Sequence, residues 1–477
     1  MPSTGLKLCS VISVVVILVA VLYKRNNDEI LRNKLEAVLD GLLQAEKKAQ
    51  VEANREPRVA VGFGACLDVF SDGVTVLDKV GAIPSNDPEH FSHINDLNEV
   101  EKVFSYFFRH GAAAERYLRN GTLFDEIVAA ARETEGARLA LGGNAPVMAN
   151  RFHLEGCKVL LAATATKQLR EEIPAEIRVV GGELEEDDVH LLMEYAKGTD
   201  WGKFTAPRAN RFIIHNDYNN PHLKSMLEFV KEVKQFSPSL VVVGGLQMMD
   251  FFPFKQGERK ALLQEMTSLL ETIPKSTLMH FEMASFAEEA CLKDIVENVV
   301  DHMDSLGMNE QELPNLFSLL TNGSVTLISD PYPRIATTLD HMREVYRLIK
   351  QNRNKNGRPL TRLHVHTLAY QAILTTKGSA WKNNMAAVAK ASLTANRHVC
   401  GSKYIHLDKA RILMDGSFKT SRGEDGERIP FDNAQPISCW DEDDYEICLA
   451  PVLVCTDVVQ TGGGGDNISS AGLVVQI

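Results

Sequence analysis

From Pro57 onward, short apolar runs alternate with amphipathic helical stretches, and that alternation admits few architectures. The runs include RVAVGFGACLDVF (58–70), KVLLAAT (158–164), EIRVVGG (176–182), VHLLMEY (189–195), NRFIIHND (210–217), LVVVGGL (240–246), LMHFEMAS (278–285), RLHVHTLAY (362–370) and PVLVCTDVV (451–459). Helical stretches read at 222–236, 257–273 and 286–305 lie between them. Strands that are apolar on both faces and separated by helices form a mainly parallel sheet covered on both sides, so the expected class is α/β. The segments around 176–198 are shorter and half polar, and suit a small mixed α+β lid over a cleft.

The N-terminus is organised differently. Residues 8–23 are uncharged and mostly apolar, preceded by Lys7 and followed by Lys24 and Arg25. Their length suits a signal-peptide core or an uncleaved anchor, with membrane attachment through them and a place in the secretory pathway: the endoplasmic reticulum, anchored or lumenal, or secretion. The positive charges after the segment favour a cytoplasmic body, whereas sequons at Asn120, Asn322 and Asn467 fit a lumenal one. Residues 26–56 read as a charged amphipathic helix linking residues 1–25 to a body at 57–477, whose lid comes from roughly 70–145 and 180–215.

A net charge of −12 argues against nucleic acid as the main partner. Eight cysteines without C-x-x-C or metal-site spacing predict reduced core thiols, with Cys400 to Cys455 as one candidate bridge if the body is lumenal. No internal repeat is present. Gly62-Phe63-Gly64 fails as a dinucleotide fingerprint, since the third glycine position is Leu67, and no Walker A loop occurs.

Chemistry is most concentrated near the C-terminus, in Gly462 to Gly465 followed by Asp466. Between a strand and a helix of small residues, bare backbone and free N–H groups would form an anion hole. A carboxylate at its mouth suits taking a proton from an attacking hydroxyl, which reads as phosphoryl transfer to an alcohol. Other candidates each keep an ordinary structural reading beside the chemical one. Asp68 would end a strand at the crevice or cap a turn, and Gly143-Asn144 would approach hydroxyls or simply turn the chain. Glu282 is a carboxylate inside an apolar run, and with Glu312 it would hold waters around Mg²⁺. Arg211 enters an apolar strand with a fork suited to phosphate or to an ion pair, while His190 and His366 fit a site or a core.

In order, V-G-x-x-A-C-x-D (61–68), G-G-N-A (142–145), H-x-x-x-E-Y (190–195), A-N-R-F-I (209–213), H-x-E-x-A-S (280–285), N-E-Q-E (309–312), H-x-H-T (364–367) and T-x-G-x-G-D (461–466) resemble the eukaryotic ADP-dependent glucokinases. The resemblance implies a ribokinase-like domain with a lid, transferring the β-phosphoryl of ADP to the 6-hydroxyl of glucose with Mg²⁺ at the first step of glycolysis; a monomer is the default expectation, since the sequence carries no signal of oligomeric state. The resemblance also implies Asp466 as base and metal-site acid, Gly463, Gly464 and Gly465 as the anion hole, and Glu282 and Glu312 as acids of the metal site. Asp68, Gly64, Gly143, Asn144 and His190 would line the sugar, and Arg211, His366 and Asn309 the nucleotide. Relatives carry Asn where this chain has Gly64, and losing that amide would weaken sugar binding by about 0.5–1.5 kcal/mol. The alternatives are a kinase for another sugar such as fructose 6-phosphate, which lacks the extra basic cluster it would need here, and a non-catalytic lumenal sugar- or nucleotide-binding protein.

Overall fold

The computed structural model describes residues 4–50, 56–326, 330, 332–352 and 357–477, without the side chains of 4–12, 14, 15, 50 and 352. A ten-stranded sheet runs in the order Ser438–Glu442, Tyr445–Pro451, Tyr370–Thr376, Arg362–His366, Ser305–Asn309, Leu278–Glu282, Leu240–Val243, Arg58–Gly62, Lys158–Ala162, Arg178–Val180. The seven strands from Arg362–His366 to Arg178–Val180 are mutually parallel, and the three at the other edge pair antiparallel. Strand alternation feeds two cores. Ala60, Val241 and Val243 pack with Phe229, Met266 and Leu292 on one face, while Val59, Val61, Leu240 and Val242 meet Met148, Phe152 and Leu473 on the other.

A second, five-stranded mixed sheet has the order Ala114–Tyr117, Asn210–His215, Val189–Tyr195, Cys66–Asp72, Arg138–Gly142. Its residues Val69, Leu191, Met193, Tyr195, Phe212 and Ile214 face a core shared with helices Leu97–His110 and Gly121–Arg132. Period-two alternation therefore sends Asp68, Phe70, His190, Leu192, Glu194 and Arg211 to the opposite face. That face looks onto the large sheet's carboxyl edge.

Several sequence expectations are corrected. The run 58–70 is two strands on two sheets, so Asp68 is the third residue of Cys66–Asp72 and does not end a strand of the large sheet. The helix read at 286–305 is only Glu289–Asn298, followed by a 3-10 turn and the strand Ser305–Asn309; about three helical turns suffice to connect the parallel strands there. The strand read at 451–459 is Leu453–Cys455, in a two-stranded sheet with Ala410–Ile412. The candidate bridge Cys400–Cys455 forms, and so does a second, Cys439–Cys448, between cysteines expected to be reduced, while Cys66, Cys157 and Cys291 are free and buried as expected.

The tether expected at 26–56 is, over its second half, part of the body. It belongs to one helix, Thr4–Gln50, whose Leu35, Val38, Leu42 and Ala45 are buried with Val388 and Leu393 of the helix Asn384–Val399. Glu46 adds ion pairs to Lys390 and Arg397. Residues 51–55 lie outside the described residues, as do several side chains of the apolar run 8–23; among the described residues no helix is long and apolar enough to cross a membrane.

Candidate active site

Three adjacent parallel strands end in Glu282, Asn309 and His366. Over this edge lies the N-terminus of the helix Gly464–Val474, entered through Gly463 at φ 66° and carrying Asp466 in its first turn. First-turn N–H groups have no partner within a helix, so this end is a ready anion site. Gly465 lies so close to His366 that a Cβ there would be 2.9 Å from its Cε1.

Glu282 ties helix to sheet. Its Oε1 accepts from Ser469 Oγ at 2.8 Å and His366 Nε2 at 3.4 Å, and its Oε2 accepts from His280 Nε2 at 2.9 Å. Burial would raise its pKa, but the hydrogen bonds from His280 and His366 win and hold it at about 2. His280 donates from Nε2, so its Nδ1 accepts from Ser305 Oγ at 2.8 Å, and burial lowers its pKa. Gly307 is the socket for this carboxylate, since a Cβ there would stand 2.2 Å from Glu282 Oε2.

Glu312 and Asn309 hold each other. The carboxylate accepts from the Asn309 backbone N and Nδ2, both at 2.8 Å, while Asn309 Oδ1 accepts from the backbone of Gln311 and Glu312. This is a reciprocal cap on the helix Glu312–Asn322. Burial pushes Glu312 up to about 7.

Asp466 faces both acids. Its Oδ1 accepts from Asn144 Nδ2 at 2.9 Å, and Asn144 Oδ1 accepts from Gln247 Nε2 at 2.6 Å. Burial first, then the charge of Glu282, push Asp466 up to about 8, against the pull of the Asn144 bond. A carboxyl poised near neutrality can give up or take a proton at working pH.

The second sheet supplies the remaining candidates. Asp68 and His190 are direct neighbours in register, as are Arg211 and Glu194. Asp68 accepts from Cys66 Sγ, and burial lifts it to about 6. Gly142 is its socket, a Cβ there falling 1.9 Å from Asp68 Oδ1. Gly143, at φ 89°, lies against the Gly64 carbonyl, its Cβ position 2.4 Å from that oxygen, and leads into Asn144 at the start of the helix Asn144–Leu154. Asp68, Gly64, Gly143, Asn144 and Asp466 thus follow one another along the cleft. Arg211 is half-buried with its Nε unpartnered.

Sequence reasoning missed the support behind His190. Its Nε2 lies 3.1–3.2 Å from both oxygens of the fully buried Asp217, which also bonds His215 and accepts from Asn220 Nδ2. Burial opposes charge on His190, but Cys66 and Asp217 outweigh it and hold the imidazole well above its usual range. Asp188 accepts the backbone N–H groups of Tyr218, Asn219 and Asn220 and so fixes that turn. Gln247, whose buried Oε1 has no partner, was also missed, though Gly244-Gly245 after a buried strand was a signal for close approach.

A family model described as ADP-specific Phosphofructokinase/Glucokinase conserved region matches residues 57–475. An ADP-dependent glucokinase of Bos taurus is 35% identical over 427 residues, covering 88% of this chain and 84% of that one. A probable ADP-dependent glucokinase of Caenorhabditis elegans is 28% identical over 438 residues, 87% and 84% of the two chains. An ADP-dependent kinase solved in complex with fructose-6-phosphate and ADPbetaS has a TM-score of 0.65 at 15% identity, covering 92% of this chain and 97% of its own. A hypothetical ADP-dependent phosphofructokinase from Pyrococcus horikoshii OT3 has a TM-score of 0.58 at 17% identity, covering 88% and 97%. At these identities the structures bear on fold, and they agree with the ribokinase-like α/β class expected from the sequence. The chain belongs to the ADP-specific phosphofructokinase/glucokinase family.

Proposed function

We propose that this protein is an ADP-dependent glucokinase, transferring the β-phosphoryl of ADP to the 6-hydroxyl of glucose and yielding glucose 6-phosphate, AMP and a proton. The observation that carries the chemistry is Asp466, hydrogen-bonded to Asn144 and raised to about 8 at the start of a glycine-led helix. The names of the relatives supply the donor and the sugar.

In this reading Asp466 orients the sugar hydroxyl and takes its proton as the oxygen attacks phosphorus. The N–H groups of Gly464, Gly465 and Asp466, with Gly463 opening the turn, face the phosphoryl oxygens, and the half-buried Arg211 offers its guanidinium charge to the diphosphate. Asp68 and His190 hold sugar hydroxyls, with His190 kept in place by Asp217. Phosphoryl transfer asks the protein mainly for position and charge, and both are present here.

The acids fit a divalent cation. Glu282 and Glu312 each raise the pKa of Asp466, so the three carboxylates form a field that positive charge would relieve. Their oxygens already carry hydrogen bonds from His280, His366, Ser469 and Asn309, which suits Mg²⁺ held through its own waters. When bound, it would supply charge neutralisation at the phosphates. The two disulfides support a secretory compartment, since such bridges persist where the environment oxidises. Exposed Val16 to Tyr23 on the long helix support attachment of that end to a membrane.

The test is sugar phosphate formation by the full chain with glucose and Mg²⁺, comparing ADP with ATP. Turnover with ADP that falls at least about a hundredfold in Asp466→Asn is expected for loss of a general base. Unchanged turnover in the folded variant would remove Asp466 from that role.

A further inference from the structure

Thr461 and Gly462, just ahead of the glycine helix, touch both domains. From the large domain, His398 on the helix Asn384–Val399 donates its Nε2–H to the Gly462 carbonyl at 2.7 Å, and its Nδ1 is held by Gln460 Nε2 at 3.1 Å. From the second sheet, Glu194 Oε1 accepts from Thr461 Oγ1 at 2.8 Å and from the Thr461 backbone N at 3.3 Å. Glu194 Oε2 accepts from Arg138 Nη2 at 3.0 Å, and that guanidinium lies 4.7 Å over the Phe70 ring. Gly462 is seated on the same face, where a Cβ would fall 2.9 Å from Phe70 Cε1 and 3.2 Å from Leu192 Cδ2.

We propose that Glu194 is a positioning residue that couples closure of the second sheet to the geometry of the anion-binding turn. The inference rests on the kinase reading above and adds a residue to it. Glu194 neighbours Arg211 in register, so the strand pair that presents Arg211 to the diphosphate also grips Thr461. With the sheet in place, the carboxylate fixes the Thr461 amide and hydroxyl, and the N–H groups after Gly463 point where the phosphoryl group is transferred. With the sheet away, Thr461 loses its side-chain partner, and the turn is held from the large domain by His398 and by the Val399 carbonyl, which accepts from the backbone of Val459 and Gln460. The turn is then complete only when the sheet that carries the sugar residues covers it, which protects ADP from attack by water until sugar is bound.

The experiment compares wild type, Glu194→Ala, Glu194→Gln, Thr461→Val and the Glu194→Ala/Thr461→Val pair. It reads kcat, both KM values and the ratio of AMP released to sugar phosphate formed. Losing a hydrogen bond to a charged acceptor predicts a kcat about tenfold lower in Glu194→Ala, with KM for glucose little changed. The ratio should rise above one as ADP and water give AMP and phosphate. Gln retains an acceptor oxygen and should restore most of the rate, and the double variant should be no worse than either single one. Losses that multiply, a ratio that stays at one, or Gln as poor as Ala overturn the proposal. If wild type forms no sugar phosphate, the kinase reading fails by itself. Hydrogen exchange over 456–463 then decides the coupling: faster exchange in Glu194→Ala supports it, and equal exchange rejects it.

Discussion

Replacing Asn144 by Ala removes the donor that holds Asp466 Oδ1 at 2.9 Å, and it does so without touching the carboxylate itself. A hydrogen bond to a charged group is worth about 1.5–3 kcal/mol. At about 1.4 kcal/mol per pKa unit, its loss raises Asp466 by about one to two units above its value of about 8. The base works deprotonated, so activity is lost as pH falls through this pKa. At about pH 7 the ionised fraction drops from roughly a tenth to between a hundredth and a thousandth, and kcat/KM drops about ten- to a hundredfold with it. The deficit should shrink as pH rises, because the high-pH plateau needs no help from Asn144 in ionising the acid. The assay is sugar phosphate formation across pH at fixed Mg²⁺, fitting the acid limb separately for kcat and kcat/KM. A loss of the same size at every pH, with the limb unmoved, would show that Asn144 acts only through substrate contact and would refute the reasoning.

Three further outcomes are expected. Gly64→Asn should lower KM for glucose by about two- to tenfold. At φ 80° any side chain carries backbone strain, which Asn bears best, and the Cβ position meets the flexible tip of Met248 at 3.3 Å and the Gly245 backbone at 3.7 Å, so an unchanged or higher KM in a variant that keeps its melting temperature would count against a sugar contact at this position. Deleting residues 1–31 should leave thermal stability nearly intact, whereas deleting 1–50 uncovers buried Leu35, Val38 and Leu42, each worth about 1.5–3 kcal/mol; equal melting temperatures would contradict the docked helix. Breaking Cys400–Cys455, which closes 55 residues, should cost about 4 kcal/mol, and breaking Cys439–Cys448, which closes 9, about 2.5 kcal/mol. Denaturant unfolding that reverses this order would argue against the loop-closure account.

What was legible in the sequence was what period and composition encode. The run Leu240–Val243 is apolar on both faces, as a buried parallel strand is, and Glu282 stood out in Leu278–Glu282 because a carboxylate inside so apolar a run needs a reason. What was not legible depends on contacts between distant segments. Nothing local marks the division between Gly62 and Cys66, where one apolar run leaves the large sheet and enters the second. The edge strand Ser438–Glu442 is half polar because one side faces solvent, so no apolar run announced it. Charged residues along 26–56 suggested a free helix, yet one stripe, from Leu35 to Ala45, is apolar and finds its partner more than three hundred residues away. The network of Asp217, Asp188 and Asn220 behind His190 escaped for the same reason, since an acid's role as a second support appears only once its partner is placed.

Gly142 and Gly307 are sockets whose missing side chains leave room for the carboxylates of Asp68 and Glu282. For directed evolution of this pocket, the consequence is an uneven landscape. Even alanine at either socket drives into one of these two carboxylates, so libraries randomised there will return glycine and little else. Gly64 borders the same cleft but faces a methionine that can yield, so its φ of 80° rather than space sets the limit there, and the residues that bear such a backbone, Asn above all, are the changes it admits.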